Sequence, residues 1–146
     1  MNRTLVICKP DAVERGLVGE ILSRLEARTL RLVAAELRTI DKALAGEHYG
    51  EHLDQPFYED LVSFITRGPS LLVVVEGPDD TYAVVRSMIG ATNPAQAAPG
   101  TIRGDLAISN TENMIHGSDS PESAAREIAL FFPDLATRLV TDGADA

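Results

Sequence analysis

The sequence predicts an α/β (α+β) fold, a ferredoxin-like split β-α-β antiparallel sheet covered by helices. Two short apolar runs, Thr4–Cys8 (TLVIC) and Leu71–Val75 (LLVVV), have the length and residue types of buried strands. Strand and helix patterns alternate in the order of two β-α-β halves. A helical hairpin is inserted between the second and third strands, and a long loop precedes a short final strand.

The first third of the chain is predicted to form strand, helix and strand. Lys9–Asp11 ends the first strand, and a helix follows the turn-like Gly16–Gly19 region, because apolar residues then recur at helical spacing: Val18, Ile21, Leu22 and Leu25. From Val33 to Ile40 the pattern half alternates. It predicts a strand with one wet side, with Glu36 and Arg38 on one face and these residues on the other: Val33, Ala35 and Leu37.

The middle of the chain is predicted to hold the helical hairpin and the third strand. Asp41 is a candidate N-cap, and Lys42–Ile65 should form two short helices separated near Asp54–Pro56, because proline interrupts a helix interior. After the strand at 71–75, Asp79 and Asp80 are predicted to cap a helix. Four of its residues share one face: Tyr82, Val85, Met88 and Ile89.

The last third begins with a long segment, Gly90–Asn113, that has little apolar periodicity and should be a functional loop, ordered or disordered. Met114 and Ile115 then form a short strand that leads to His116. Ser120–Glu122 predicts a helix start, and Pro133 a helix end. The expected buried stripe of that helix is Ala125, Ile128 and Phe132. The tail 141–146 (TDGADA) is expected to fray.

Composition limits the functional classes. We expect one domain, 1–146, with its own core, since 45% of the residues are apolar. The longest apolar run is too short for a membrane span or a signal peptide, which favours a cytoplasmic protein without a membrane partner. A net charge of −9 argues against a dedicated nucleic-acid partner. The single cysteine, Cys8, is expected to be a buried hydrophobe rather than a catalytic thiol.

One short motif suggests a metal site. His48, Glu51 and His52 (HYGEH) match the H-x-x-E-H pattern of zinc peptidases, in which two histidines bind the ion from one helix face. Gly50 lies inside the pattern, and Pro56 soon ends the helix. A solvated helix face is therefore the preferred interpretation, and a zinc peptidase the alternative.

His116 is the stronger candidate for chemistry. It follows an apolar run and precedes a capped helix, where the helix dipole favours phosphate. A largely neutral imidazole attacks phosphorus without a separate base. Ser118 and Asp119 stand too close to His116 for a hydrolase triad, so Ser118 is assigned as a partner of His116 or a turn residue. Arg103, between Gly100 and Gly104, is the best phosphate-binding candidate on chemistry alone.

Several blocks resemble the nucleoside diphosphate kinase family. Residues 113–119 (NMIHGSD) are similar to its active-site signature, residues 92–94 (TNP) with 99–105 (PGTIRGD) to its phosphate-binding loop, and residues 9–21 (KPDAVERGLVGEI) to its N-terminal block. The blocks occur in the family's order and cover nearly the whole chain. The resemblance implies ping-pong transfer of the γ-phosphoryl group of a nucleoside triphosphate, usually ATP, through a phosphohistidine to a second diphosphate.

The resemblance also implies a role for each matching residue. His116 matches the phosphorylated histidine, Glu127 the acid that orients it and Ser118 its neighbouring serine. Tyr49 matches a residue beside the phosphate and the histidine, and Phe57 the ring on which the base stacks. The remaining matches are phosphate or sugar ligands: Lys9, Arg86, Thr92, Arg103 and Asn113.

The family further implies a magnesium cofactor, Mg²⁺, held mainly by the substrate phosphates rather than by protein ligands. The expected partners are nucleoside di- and triphosphates and further copies of the chain, in a homo-oligomer that is a hexamer or a tetramer. A catalytically inactive nucleotide-binding regulatory module on the same fold is the alternative function. The intact set of cations and the histidine speaks against it, because a pure binder needs no nucleophile.

Overall fold

A computed structural model describes residues 2–135, which form four strands and seven α-helices. The strands are β1 (Asn2–Cys8), β2 (Arg31–Arg38), β3 (Ser70–Gly77) and β4 (Ile115–Gly117). The helices are α1 (Pro10–Glu14), α2 (Val18–Ala27), α3 (Lys42–His48), α4 (Tyr58–Thr66), α5 (Thr81–Ile89), α6 (Ile102–Leu106) and α7 (Pro121–Phe131). Two 3-10 turns cover Gly50–His52 and Pro94–Gln96.

The four strands form one antiparallel sheet in the order β2-β3-β1-β4. The central strands β1 and β3 are the two apolar runs that the sequence singles out. This order, with α3 and α4 inserted between β2 and β3, confirms the predicted ferredoxin-like sheet and its hairpin. Strand β4 pairs with β1 so that His116 lies opposite Ile7, which places the candidate nucleophile beside the best-buried strand.

Alternate residues of the central strands feed two cores, one on each face of the sheet. Val6, Cys8, Val73 and Val75 face the core that is covered by α2 and α5. Leu5, Ile7, Leu72 and Val74 face the core that is covered by α3, α4 and the Phe131 end of α7. Both faces of the sheet are therefore covered by a hydrophobic core, and β2 and β4 are its edge strands.

The predicted buried faces of two elements are wrong in part. Val33, Ile128 and Phe132 do pack in a core as predicted, but the other predicted residues do not. In β2, Ala35 and Leu37 are exposed, and the buried residue is Ala34, because a β-bulge between Leu32 and Ala34 shifts the register against β3. In α7, Ala125 is exposed, and the buried residues are Ala124, Glu127 and Phe131, with Phe132 buried just beyond the helix. A polar Glu127 inside that stripe hid the true face from an apolar pattern.

The helix ends follow local chemistry with one exception. Asp41 accepts a hydrogen bond from the Leu44 N–H at 2.8 Å, and Ser120 accepts one from the Ser123 N–H at 3.0 Å, as N-caps do. Asp80 occupies the N-cap position of α5 but makes no side-chain capping bond, so that prediction is wrong in its mechanism. Lys9–Asp11 ends β1 as predicted, but the short helix α1 that begins at Pro10 was not predicted.

The long segment before β4 is ordered and contains one 3-10 turn and α6. Asn93 and Thr101 cap these turns by accepting from the N–H groups of Ala95 and Gly104. The predicted fraying of 141–146 lies outside the described residues. Across residues 2–135 no helix combines the length and hydropathy that a bilayer crossing needs.

Candidate active site

A cavity of about 550 Å³ opens beside β4, between α3, α5 and the 90–113 segment. Its volume suits a small-molecule ligand. Nine of the ten residues assigned from the sequence line it: Lys9, Tyr49, Phe57, Arg86, Thr92, Arg103, Asn113, His116 and Glu127. The tenth, Ser118, is fully buried behind the wall. Residues from five separate parts of the chain thus meet in one place.

His116 is held by a buried carboxylate on the facing helix. Its Nε2 lies 2.8 Å from Glu127 Oε1, and the same oxygen accepts a hydrogen bond from Ser118 Oγ at 2.8 Å. Ser118 in turn accepts a hydrogen bond from the Leu5 N–H of the central strand at 3.3 Å. The candidate partnership of Ser118 with His116 therefore runs through Glu127, which fixes the ring to the sheet and to α7.

This contact decides which ring nitrogen keeps a lone pair. Burial alone would raise the pKa of Glu127, but hydrogen bonds from His116 and Ser118 outweigh it and lower the pKa below the ordinary value. An ionised carboxylate only accepts, so Nε2 carries the proton. The lone pair of a neutral His116 ring then lies on Nδ1, the nitrogen that is free of Glu127.

Two buried cations, Lys9 and Arg103, line the same cavity. Lys9 Nζ donates to Asn113 Oδ1 at 2.9 Å, and burial together with the nearby Arg103 lowers the pKa of Lys9 to about 8. Burial and the nearby Arg86 lower the pKa of Arg103 to about 10. Both groups are still largely protonated at neutral pH, and within residues 2–135 neither makes a salt bridge, although the charge of Asp11 acts on Lys9. They form a positive surface inside a protein of net charge −9.

The arginines also brace the backbone of the site. Arg103 donates to the carbonyls of Asn113 and Ile115 at 3.3 and 2.6 Å, and Arg86 donates to the Gly117 carbonyl at 2.9 Å. Arg86 and Arg103 therefore hold both ends of β4, where His116 lies, while their charge faces the cavity.

An unusual turn precedes His116. Met114 has a φ of 74°, a left-handed conformation that is costly for a residue with a side chain. Three contacts hold it: its N–H donates to Asp11 Oδ2 at 3.1 Å, its carbonyl accepts from the Lys9 N–H at 2.9 Å, and Arg103 binds the neighbouring carbonyls. The role of Asp11 was missed from the sequence, where it was only an end to β1. The sequence showed only an acid three positions after an apolar strand, and its burial is visible only in the structure.

His48 is the other residue that the sequence argument placed wrongly. It is only 5% exposed, and its ring lies edge-on to the His116 ring with centroids 4.8 Å apart. Burial and the nearby His116 lower the pKa of His48 to about 3, so the ring is neutral at physiological pH. Its Nδ1 is buried without a hydrogen-bond partner.

The HYGEH segment does not form a peptidase-like pair. A 3-10 turn begins at Gly50, and His52 points instead to Phe57, with ring centroids 5.4 Å apart. The preferred interpretation of a solvated face holds for Glu51, which is exposed, holds in part for His52, which is half-buried, and fails for His48. Phe57 lines the cavity and is 44% exposed, so part of its side chain is accessible to a ligand. Tyr49 is nearly buried, and burial raises its pKa to about 12.

Among the described residues, one group could close on a metal ion through three side chains: His48, His116 and Glu127. Two nitrogens and one oxygen do not suit Mg²⁺, which prefers six oxygen ligands. The other carboxylates on the cavity wall are Glu51 and Asp119. This donor set fits a magnesium ion carried mainly by phosphate oxygens.

The comparisons with known proteins agree with this geometry. The sequence model described as "Nucleoside diphosphate kinase" matches residues 2–137. Nucleoside diphosphate kinases of Thermomicrobium roseum and a Nocardioides species are each 59% identical to the chain, over 90% and 91% of it and 88% and 98% of their own lengths. The solved structure of a halophilic nucleoside diphosphate kinase from Halobacterium salinarum, in complex with CDP, superposes with a TM-score of 0.87. It is 51% identical and covers 90% of this chain and 87% of its own.

A second solved structure, of a nucleoside diphosphate kinase family protein from Babesia bovis, superposes with a TM-score of 0.86 at 45% identity, covering 90% of this chain and 88% of its own. The residues that the family model matches include the four strands, the cavity-lining residues and His116. The chain belongs to the nucleoside diphosphate kinase family, and it is a phosphotransferase.

Proposed function

We propose that the chain performs its nucleoside diphosphate kinase reaction through His116, in two matched half-reactions. Nδ1 of His116 attacks the γ-phosphorus of a nucleoside triphosphate, typically ATP. The new N–P bond forms as the bond to the β-γ bridging oxygen breaks, and the nucleoside diphosphate leaves. A second diphosphate then takes the phosphoryl group by the reverse step. The observation that supports this most directly is the 2.8 Å contact of Nε2 with Glu127, which leaves Nδ1 as the nucleophilic atom.

Glu127 and Ser118 are positioning residues in this proposal. Glu127 keeps the proton on Nε2 and offsets the positive charge that the ring gains on attack. The buried aspartate of a Ser-His-Asp triad acts on its histidine in the same way. Ser118 holds Glu127 by donating to the same oxygen. Transfer needs no other acid or base on the protein, because the imidazole is both nucleophile and leaving group.

The cations and hydroxyls of the cavity would bind the phosphates and the sugar. Lys9, Arg86 and Arg103 are the charged groups, and they offset the charge that spreads over the phosphoryl oxygens in a loose transition state. Thr92, Tyr49 and Asn113 supply neutral polar groups on the same wall. Asn113 accepts from Lys9 through its side-chain oxygen, so a hydroxyl between them would meet a donor and an acceptor.

Phe57 is proposed as the stacking face for the base. It lies at the rim of the cavity, half exposed, and a flat apolar face accepts any base without selecting one. The related structure from Halobacterium salinarum holds CDP, a pyrimidine nucleotide, which is consistent with a base contact of this kind.

Mg²⁺ is proposed as the cofactor, held mainly by the substrate phosphates. When bound there, it neutralises phosphate charge and orients the reacting group. Asp119, which lines the cavity, would accept hydrogen bonds from water on that side. The arginines and Lys9 bind the phosphate oxygens that remain free.

We further propose that 1–146 is one domain, active in the cytoplasm, where its substrates are, as a homo-oligomeric hexamer or tetramer. The two cores share one sheet, which supports a single folding unit. Strand β2 ends the sheet and exposes Leu37, an apolar side chain on an edge that suits a second copy.

Labelling with γ-labelled ATP and magnesium tests the proposal. The wild-type protein should acquire label that is acid-labile and base-stable, as a phosphoimidazole is, and adding a second diphosphate should discharge it. His116→Gln should abolish both label and turnover while the protein keeps its melting temperature. Label that persists in His116→Gln, or that lies on a serine, contradicts the mechanism. A folded protein that binds nucleotide and never transfers phosphate would support the inactive regulatory module instead.

A further inference from the structure

Three side chains meet at the inner end of the cavity in an arrangement that phosphoryl transfer does not require. One ligand atom from each of His48, His116 and Glu127 lies within 4.8 Å of the other two. The transfer reaction uses His116 and Glu127, but it gives His48 no task. His48 nevertheless takes up a buried position with its Nδ1 unsatisfied, and a buried polar atom without a partner is costly.

We propose that His48, His116 and Glu127 form a binding site for a zinc-class divalent cation, and that the bound ion inhibits phosphoryl transfer. The inhibitory part rests on the proposed role of His116 as the nucleophile. The binding part stands on the geometry of the three side chains alone.

The donor set selects this class of ion. Two imidazoles and one carboxylate are the protein ligands of many zinc sites that keep a fourth position open. With bonds of about 2.0–2.1 Å, tetrahedral ligand atoms lie roughly 3.4 Å apart. Since the three atoms lie within 4.8 Å of one another, the cluster needs to close by up to about 1.4 Å. The side chain of His116 is 22% exposed, which gives an ion a path from the cavity. The fourth position would face the same cavity.

Coordination blocks the nucleophile whichever nitrogen of His116 is used. A neutral imidazole has one lone pair, on the nitrogen that does not carry the proton. An ion on Nδ1 occupies that lone pair directly. An ion on Nε2 displaces the hydrogen bond to Glu127 and moves the proton to Nδ1, which then has no lone pair for phosphorus. Both modes predict loss of phosphorylation.

The rest of the chain offers few competing soft ligands, which makes the site testable. The sequence has three histidines and one cysteine. Cys8 is fully buried in the core, where burial raises the pKa of its thiol to about 12. His52 lies outside the cluster, beside Phe57. It is the natural control, because it belongs to the same HYGEH motif and would bind the ion if that motif were the site.

The binding experiment uses the untagged protein after treatment with a chelator. Zn²⁺ is titrated calorimetrically without nucleotide, and Co²⁺ is added separately as an optical probe of tetrahedral coordination. We expect one ion per chain. His48→Phe keeps an aromatic ring against Tyr49 and Phe131, and His48→Gln is a second variant in case that packing fails.

Either variant should weaken binding by more than the ten- to hundredfold that loss of an outer contact costs, because a direct ligand is removed. His52→Ala should bind Zn²⁺ as the wild type does. Unchanged affinity in both His48 variants, or its loss in His52→Ala, overturns the site.

The inhibition experiment measures the rate of labelling by γ-labelled ATP in excess magnesium, with and without one equivalent of Zn²⁺. Each variant is compared with its own zinc-free rate. The wild type and His52→Ala should be inhibited, and His48→Phe should not. Zinc that binds without slowing the wild type overturns the inhibitory part. Absence of labelling in the zinc-free wild type would instead contradict the proposed role of His116, and the titration would still decide the binding site.

Discussion

At the scale of single residues, the site depends on how a buried acid controls one histidine. Glu127 is 4% exposed and is kept ionised by the hydrogen bonds from His116 and Ser118. Replacing its charge with an amide removes the reason for Nε2 to hold the proton, because an amide donates as readily as it accepts. The acid therefore acts on the tautomer of His116 as well as on its orientation.

Glu127→Gln should accordingly lower the rate of His116 phosphorylation by about 10²–10⁴-fold, the range seen when a histidine loses its orienting charge or a preorganised contact is removed. Ser118→Ala is the matched control. It removes one hydrogen bond to Glu127 and leaves the charge, so its effect should be much smaller. Single-turnover labelling measures both rates, and thermal melting checks the fold. Equal rates in Glu127→Gln and the wild type would remove Glu127 from the mechanism.

Lys9 gives a pH dependence whose sign differs for folding and for binding. Burial and Arg103 lower its pKa to about 8 in the free protein, against an ordinary value of 10.5. Between these two values the unfolded chain binds more protons, so this residue makes the free protein more stable as pH rises. Bound phosphates favour protonated Lys9, so nucleotide affinity should fall as pH rises above about 8, by up to tenfold per pH unit.

Calorimetry with ADP at pH 7, 8 and 9, in two buffers of different ionisation enthalpy, tests this dependence. Binding near pH 8 should take up a proton. Lys9→Arg keeps the charge across this range and should lose the proton uptake near pH 8. Proton release on binding, or an affinity that does not change between pH 7 and 9, would show that Lys9 does not face the phosphates.

At the scale of elements, the sequence predicted the features that depend on periodic burial of apolar residues. It missed the features that depend on contacts between distant parts of the chain. The central strands, the helical hairpin and the short strand that leads to His116 were predicted from apolar runs and turn residues. The bulge in β2 depends on its pairing with β3, and the left-handed Met114 depends on Asp11 more than 100 positions away, so neither has a local pattern. The burial of Glu127 also has no local pattern. The apolar pattern of α7 predicted instead that Ala125, two positions earlier, would be buried.

The short helix α6 carries Arg103, so a change in its packing tests how the helix positions that charge at the cavity. Gly104 has no room for a side chain, because an added Cβ would meet the Ala98 carbonyl at 2.1 Å and Thr101 Oγ1 at 2.7 Å. Thr101 caps α6 by accepting from the Gly104 N–H. A methyl group here would push α6, and with it Arg103, away from the cavity.

Gly104→Ala should therefore destabilise the protein by about 1–3 kcal/mol and weaken nucleotide binding. Gly19→Ala, on an exposed turn of α2 with nothing near its Cβ position, should be neutral or stabilise by about 0.5–1 kcal/mol. Urea unfolding of both variants measures the difference. A Gly104→Ala protein as stable as the wild type would show that the 98–104 turn adapts without cost.

At the scale of the whole molecule, an acidic chain places two of its buried basic side chains at one cavity. The chain carries 22 acidic and 13 basic residues, and two of the most buried bases, Lys9 and Arg103, face one cavity. Composition argued against general nucleic-acid binding but could not show this clustering, because the two residues are 94 positions apart. They meet only when β1 and the 90–113 segment pack together. The fold therefore creates a local positive site for anions in a chain whose net charge is −9.

One edge of the sheet is the surface on which the proposed association of copies can be tested. Among the residues that the structure describes, β2 pairs with β3 alone and has no strand on its outer edge, and Leu37 on β2 is 59% exposed. If that edge is an interface, Leu37→Glu should place a charge where an apolar contact is needed and shift the assembly to smaller species. Leu53 is equally exposed at 62%, but it lies beyond the Gly50–His52 turn and away from the edge, so Leu53→Glu is the control.

Sedimentation should give the wild type a mass of four or six times the 15.7 kDa chain. Leu53→Glu should keep that mass, whereas Leu37→Glu should lose it progressively on dilution, because an interface that buries a charge is weakened by several kcal/mol and then responds to concentration. A wild-type monomer at all concentrations contradicts the proposed assembly. An intact assembly in Leu37→Glu would show that the copies meet through another surface and that the β2 edge remains open to water.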